Sequence, residues 1–198
     1  MLEFPEIQYI TRDDEQYSHA EQALLMFRMG IKWVQIRMKN AGDEAIIQQA
    51  ELALEYANEY GCKLIVNDSI SICKAVKAHG LHLGLKDTPV SEARKELGKD
   101  VIIGGTANTL EDAFLQAKQG VDYIGLGPFR FTNTKKNLSP VIGLEGYKKI
   151  MTDLKERSFD KPITAVGGIE MEDIPSILST GINGVAISGA LLEKYRRK

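Results

Sequence analysis

Cysteine is scarce in this chain. Only Cys62 and Cys73 occur, at a spacing that matches no common metal motif. Free cysteine is usually buried, so the expected state is reduced and the expected compartment is the cytoplasm. No apolar run approaches the ~20 residues needed to cross a bilayer, and residues 1–6 lack the basic and apolar regions of a secretion signal. An excess of charge is missing too: 25 Lys and Arg stand against 27 Asp and Glu, for a formal net charge of -2. With no basic stripe, neither nucleic acid nor a membrane surface is an expected partner. No His, Cys, Asp and Glu cluster has zinc spacing, and no Ser–His–Asp elbow is visible. What remains, 43% hydrophobic and 26% charged over 198 residues, is the composition of a globular protein with one large domain or at most two small ones.

Strand-like runs alternate with amphipathic segments from end to end. Strands are expected at 7–11, 32–39, 63–66, 80–83, 101–104, 123–126, 163–166 and 184–187. Helices fall between them at 43–60, 69–77, 91–97, 109–119, 144–154 and 172–179, with a last one from Ala190. The first helix carries its own signature. Ser18 and Glu21 form a capping box, Ala20, Ala23, Leu24 and Phe27 keep helical spacing, and Gly30 stops it. Eight such units with no internal linker or low-complexity segment point to a single (β/α)8 TIM barrel spanning 1–198, stripped of insertions. A doubly wound open sheet would more often place a Gly-rich turn after its first strand, and Ile10-Thr11-Arg12-Asp13 offers none. The polar loop at 127–142 is too long to be a mere connector.

The second strand organises the chemistry. Read as β structure, it puts Val34, Ile36 and Met38 on one face and Gln35, Arg37 and Lys39 on the other. Arginine and lysine are rarely buried alone, so the polar row either looks into an anion site or is a solvated edge. Barrels place active residues at the C-terminal ends of strands and in the loops beyond. Those positions hold Asn67 and Asp68, then Asp87, then Thr106, then Thr132, Thr134 and Lys135, then Gly167-Gly168-Ile169, and finally Ile187-Ser188. Two sub-sites follow. Arg37 and Lys39 share a mouth with Asp68 and Asp87, and Mg²⁺ bridging a diphosphate reconciles those charges. Gly167-Gly168, with the helix N-terminus beyond Ser188, suits a phosphate, with Thr132, Thr134 and Lys135 reaching across. Plainer roles stay open: Asp68 as a helix cap, Asn67 and Asp87 as turn residues, the glycines as a tight turn. His82, between Leu81 and Leu83, reads as a satisfied core histidine rather than a base.

In Gln35-Ile36-Arg37-Met38-Lys39, Val66-Asn67-Asp68, Gly80-Leu81-His82-Leu83-Gly84 with Asp87, Tyr123-Ile124-Gly125-Leu126-Gly127-Pro128 with Thr132-Asn133-Thr134-Lys135, and Ala165-Val166-Gly167-Gly168-Ile169, the chain resembles the thiamine-phosphate synthase family. The resemblance covers almost the whole chain. It implies a transferase that condenses an aminopyrimidine diphosphate with a thiazole phosphate, diphosphate leaving first to give a pyrimidine methyl cation. It also implies that Gln35, Arg37, Lys39, Asn67 and Lys135 hold the diphosphate, with magnesium on Asp68 and Asp87. Thiazole phosphate would lie at Thr132, Thr134, Gly168, Ile187 and Ser188. An assembly of identical copies is compatible with the sequence. Three departures stand out: Thr106-Ala107-Asn108-Thr109 replaces the usual Ser-Thr-His-Thr turn, Leu85 replaces Gln, and Phe129-Arg130-Phe131 replaces small apolar and proline residues. Thr106 still offers diphosphate a hydroxyl. The alternatives are the related thiazole tautomerase, which needs a histidine where Asn108 stands, and a non-catalytic barrel that binds phosphorylated ligands.

Overall fold

The computed structural model describes residues 4–131 and 140–196. Eight parallel strands pair in chain order, and the first closes on the last. They are β1 (Ile7–Ile10), β2 (Trp33–Ile36), β3 (Lys63–Asn67), β4 (Gly80–Leu83), β5 (Ile102–Ala107), β6 (Tyr123–Leu126), β7 (Ile163–Val166) and β8 (Gly184–Ile187). Between them run α1 (His19–Arg28), α2 (Asp43–Glu59), α3 (Ile70–Val76), α4 (Val90–Leu97), α5 (Leu110–Gln119), α6 (Gly143–Glu156), α7 (Ile174–Leu178) and α8 (Gly189–Arg196). This is the (β/α)8 barrel that the alternation of patterns predicts. Among the described residues no helix is long and apolar enough to cross a membrane.

The pleat sorts side chains between lumen and helix layer. Tyr9, Val34, Ile36, Leu64, Val66, Leu81 and Ile103 belong to the main core shared with the helices. Trp33, Ile65, Ile102 and Tyr123 form a separate apolar cluster closed by Phe4. Phe4 precedes β1, and Trp33, Ile102 and Tyr123 open their strands, so this cluster floors the lumen. Above it the lumen turns polar, with Gln8, Gln35 and Thr164 all buried. Two strands thin themselves to make room. A Cβ at Gly104 would stand 2.5 Å from His82 Nδ1 and collide with the Tyr123 ring, and one at Gly125 would stand 2.9 Å from His82 Cε1.

Several boundaries differ from the sequence reading. β2 ends at Ile36 rather than at 39, because the Arg37 N–H donates to Thr11 Oγ1 at 3.0 Å instead of continuing the ladder. The alternation that put Arg37 and Lys39 on one strand face therefore stops short of both. β3 and β5 run further than expected, so Asn67 and Thr106 ride on the sheet itself. The expected helix at 172–179 divides into a 3-10 turn, Met171–Asp173, and the short α7. Pro175 sits in the first turn of α7, where its missing N–H costs nothing.

Candidate active site

The first residues past β1 build one wall of the mouth. Gln22 on α1 is fully buried and spends its amide on this turn. Its Oε1 accepts from Tyr9 OH (2.8 Å) and Arg12 N–H (3.1 Å), and its Nε2 donates to Arg12 O (2.7 Å) and Tyr17 O (3.0 Å). Thr11 is fixed in turn by His19 Nδ1 at 2.6 Å. With its backbone held in this way, Arg12 lays its side chain over the start of α8, where a Cβ on Gly189 would stand 2.5 Å from Arg12 Nη1.

Across the mouth, Gln35 Nε2 donates to Asn67 Oδ1 at 2.7 Å. Asp68 follows in left-handed backbone (φ 65°), a conformation that aspartate tolerates better than most residues. It is not a helix cap, since Ser69 takes that role by accepting from Ile72 N–H at 3.2 Å. Its carboxyl meets that of Asp87, which also accepts the Gly84 N–H at 2.6 Å. Burial first, then the neighbouring Asp87, pushes Asp68 up to about 6, while Arg37 pulls the other way. Burial lowers Arg37 itself, against the attraction of Asp68 and Asp13. Arg37, Asp68 and Asp87 thus form one electrostatic group.

Thr106 is supported from within the lumen. His82 Nε2 lies 3.1 Å from Thr106 Oγ1, and His82 Nδ1 lies 3.0 Å from Tyr123 OH, which Gln8 Nε2 approaches at 3.5 Å. The proton order that gives each atom a role runs upward: Gln8 donates to Tyr123, Tyr123 to Nδ1, and Nε2–H to Thr106. His82 is the satisfied histidine that the sequence suggested, with a polar purpose.

Between β1, β7 and β8 a cavity of about 740 Å³ opens, lined by Arg12, Arg37, Gly167, Gly168, Ile187 and Ser188 among others. Arg37 therefore faces both the carboxylate pair and the glycine turn. Lys39 lies exposed past the end of β2, and Thr132, Thr134 and Lys135 fall outside the described residues. Asn108, in the place where a tautomerase needs histidine, donates its side-chain amide to Gly127 O. Among the described residues no group of three or more His, Cys, Asp and Glu converges. The sequence reading passed over Arg12, although a charged residue directly after a barrel strand was signal enough to find it.

The sequence model of thiamine monophosphate synthase matches residues 7–191. The chain is 48% identical over 187 residues to the thiamine-phosphate synthase of Phocaeicola vulgatus, covering 94% of this chain and 90% of that protein. It is 41% identical over 198 residues to the thiamine-phosphate synthase of Flavobacterium johnsoniae, covering 98% and 92%. Thiamine phosphate pyrophosphorylase from Pyrococcus furiosus superposes with a TM-score of 0.82 at 30% identity, covering 94% of this chain and 87% of its own. The chain belongs to the thiamine monophosphate synthase family, by the match to the family model, by identity to its relatives and by fold.

Proposed function

We propose that this chain is itself a thiamine-phosphate synthase. It condenses 4-amino-2-methyl-5-hydroxymethylpyrimidine diphosphate with thiazole phosphate, releasing diphosphate. The observation that carries the reading is the position of Arg37. Its guanidinium lies in the field of Asp68 and lines the cavity that also holds Gly168 and Ser188. A single cation thus lies between the carboxylate pair and the glycine turn, which supports a reaction between two phosphorylated substrates.

In this scheme Arg37, Lys39, Thr106 and Lys135 gather the diphosphate, with Gln35 and Asn67 setting its orientation. The second substrate keeps its phosphate at Gly168, Ile187 and Ser188, with Thr132 and Thr134 as further partners that the family resemblance implies. The bond from the pyrimidine methylene carbon to the diphosphate oxygen breaks, and its electron pair leaves with diphosphate. The thiazole nitrogen then gives its lone pair to that carbon. No protein base need remove a proton, so the work of the site is electrostatic. Asp68 and Asp87 fit Mg²⁺: two hard carboxylate donors, crowded enough to hold Asp68 above its ordinary range, would hold the ion. Bound there, the ion would neutralise charge on the leaving diphosphate. Reduced, buried Cys62 and Cys73 fit a cytoplasmic enzyme.

The test is diphosphate release on mixing the protein with both substrates and Mg²⁺, repeated with excess EDTA. Release that needs both substrates and stops with chelator is expected. Binding without turnover would make the chain a ligand-binding barrel, and a full rate in EDTA would remove the metal from Asp68 and Asp87.

A further inference from the structure

Gly167 and Gly168 adopt φ of 98° and 67°, left-handed backbone that glycine enters without strain. The turn therefore can bring consecutive amides to one side, and its two carbonyls are held from the other. The Arg130 N–H donates to Gly167 O at 2.9 Å. Arg130 Nη1 donates to Gly168 O at 2.7 Å. The same guanidinium grips Asp173 with both arms, Nη1 to Oδ2 and Nη2 to Oδ1, each at 2.8 Å. Asp173 Oδ2 also accepts the Glu170 N–H at 2.8 Å, and Arg130 holds the Asp173 carboxyl below its usual range.

In a trans peptide the C=O of one residue and the N–H of the next lie in one plane and point in opposite directions. Drawing Gly167 O toward Arg130 turns the Gly168 N–H away from it, and drawing Gly168 O does the same to the Ile169 N–H. Among the described residues neither amide has a protein acceptor, while Gly167, Gly168 and Ile169 all line the cavity and Arg130 does not. Arg130 therefore stands behind the turn. Its own footing is firm. The guanidinium carbon sits 5.0 Å from the Phe129 ring centroid, Phe129 stacks on Tyr147 at 5.7 Å, and Tyr147 OH donates to Leu126 O at 2.8 Å. An exposed ion pair contributes little on its own, but a two-armed pair that also takes two backbone carbonyls fixes geometry.

We propose that Arg130, braced by Asp173, is a positioning residue that aims the Gly168 and Ile169 amides at the phosphate of the thiazole substrate. The assignment of that phosphate rests on the function proposed above. Residues of this type act on binding of one substrate and leave the other untouched, which sets the test. Arg130→Ala is expected to raise the KM for thiazole phosphate about tenfold, with kcat within about twofold and the KM for the pyrimidine diphosphate unchanged. Asp173→Asn should give the same pattern in the same direction, the double variant no more than the worse single one, and Arg130→Lys a partial recovery. Should Arg130→Ala fail to fold, Arg130→Lys and Asp173→Asn carry the comparison. An unchanged thiazole KM in an active series, or an equal rise in both KM values, overturns the proposal. A wild-type chain with no turnover counts against the function instead. In that case thermal shift with inorganic phosphate decides: a smaller shift in the variants than in the wild type supports the brace, and equal shifts overturn it.

Discussion

Replacing Asp68 with asparagine should make the protein more stable and less useful. The Asp68 carboxyl is forced to ionise beside Asp87 in a partly buried position, which raises it from an ordinary 3.8 to about 6. Before solvent screening, that displacement means the folded state disfavours the ionised form by roughly 3 kcal/mol. Asp68 is largely open to solvent, so screening cuts the figure to between about 1 and 2 kcal/mol. The sign is fixed by linkage. Because the folded protein binds this proton more tightly than the unfolded chain, wild-type stability rises as pH falls through 6, and the penalty is fully present at pH 7. The substituted amide carries no charge, keeps a donor for Asp87 and tolerates the left-handed backbone of the position. In EDTA at pH 7, Asp68→Asn is therefore expected to raise Tm by about 3–6 °C for a chain of this size. The gain should shrink as pH falls through 6 and vanish near pH 4. Adding Mg²⁺ should raise Tm in the wild type and not in the variant, and the variant should lose turnover. A variant Tm at or below wild type at pH 7, or a gain that persists unchanged at pH 4, would refute the reasoning.

Other perturbations separate the parts of the structure. Arg37→Ala should cut turnover by about 100-fold or more while moving Tm by only a few degrees, measured by diphosphate release and thermal melting. Gly104→Ala should destabilise by about 1–3 kcal/mol in urea unfolding, because its Cβ would meet the Tyr123 ring and His82. His79 Nδ1 accepts the Leu64 N–H at 3.1 Å, and burial with Lys63 nearby holds the ring below its ordinary 6.5. The unfolded chain then binds the proton more tightly, so stability falls as pH drops below 6.5. His79→Asn, which keeps an acceptor in the same place, should flatten that part of the Tm–pH curve, leaving the share due to His19, which burial also lowers.

The barrel was legible because each local signal agreed with the global one. β4, β6, β7 and β8 occupy the residues expected of them, since short apolar runs end at a glycine or a polar turn in each case. The Ser18 capping box forms as read. Where the reading slipped, a tertiary bond overrode the local pattern. The alternation through Lys39 is intact in the sequence, yet the Arg37 amide turns to Thr11 on the neighbouring turn, a partner that periodicity does not encode. At 172–179 the apolar spacing hid the break made by Pro175 and the Glu170–Asp173 cap.

The site divides along the same line. Side chains that reach the mouth through strand position alone, namely Gln35, Asn67, Asp68, Thr106 and Ser188, could be named from sequence by the rule for barrel ends. Groups that act by gripping something distant in the chain could not. Arg130 meets Asp173 across 43 positions, and His82 meets Tyr123 across 41. These remote pairs share a feature: each stands one layer behind a group facing the mouth, Thr106 in one case and the glycine turn in the other. An electrostatic site needs its donors fixed before the charge develops, because donors that must reorient surrender part of the stabilisation they give. Phe129 and Arg130 fall in this supporting layer. Variation there alters how firmly an amide is aimed without changing which atoms meet the substrate, so it should surface in the KM for one substrate before it surfaces in kcat.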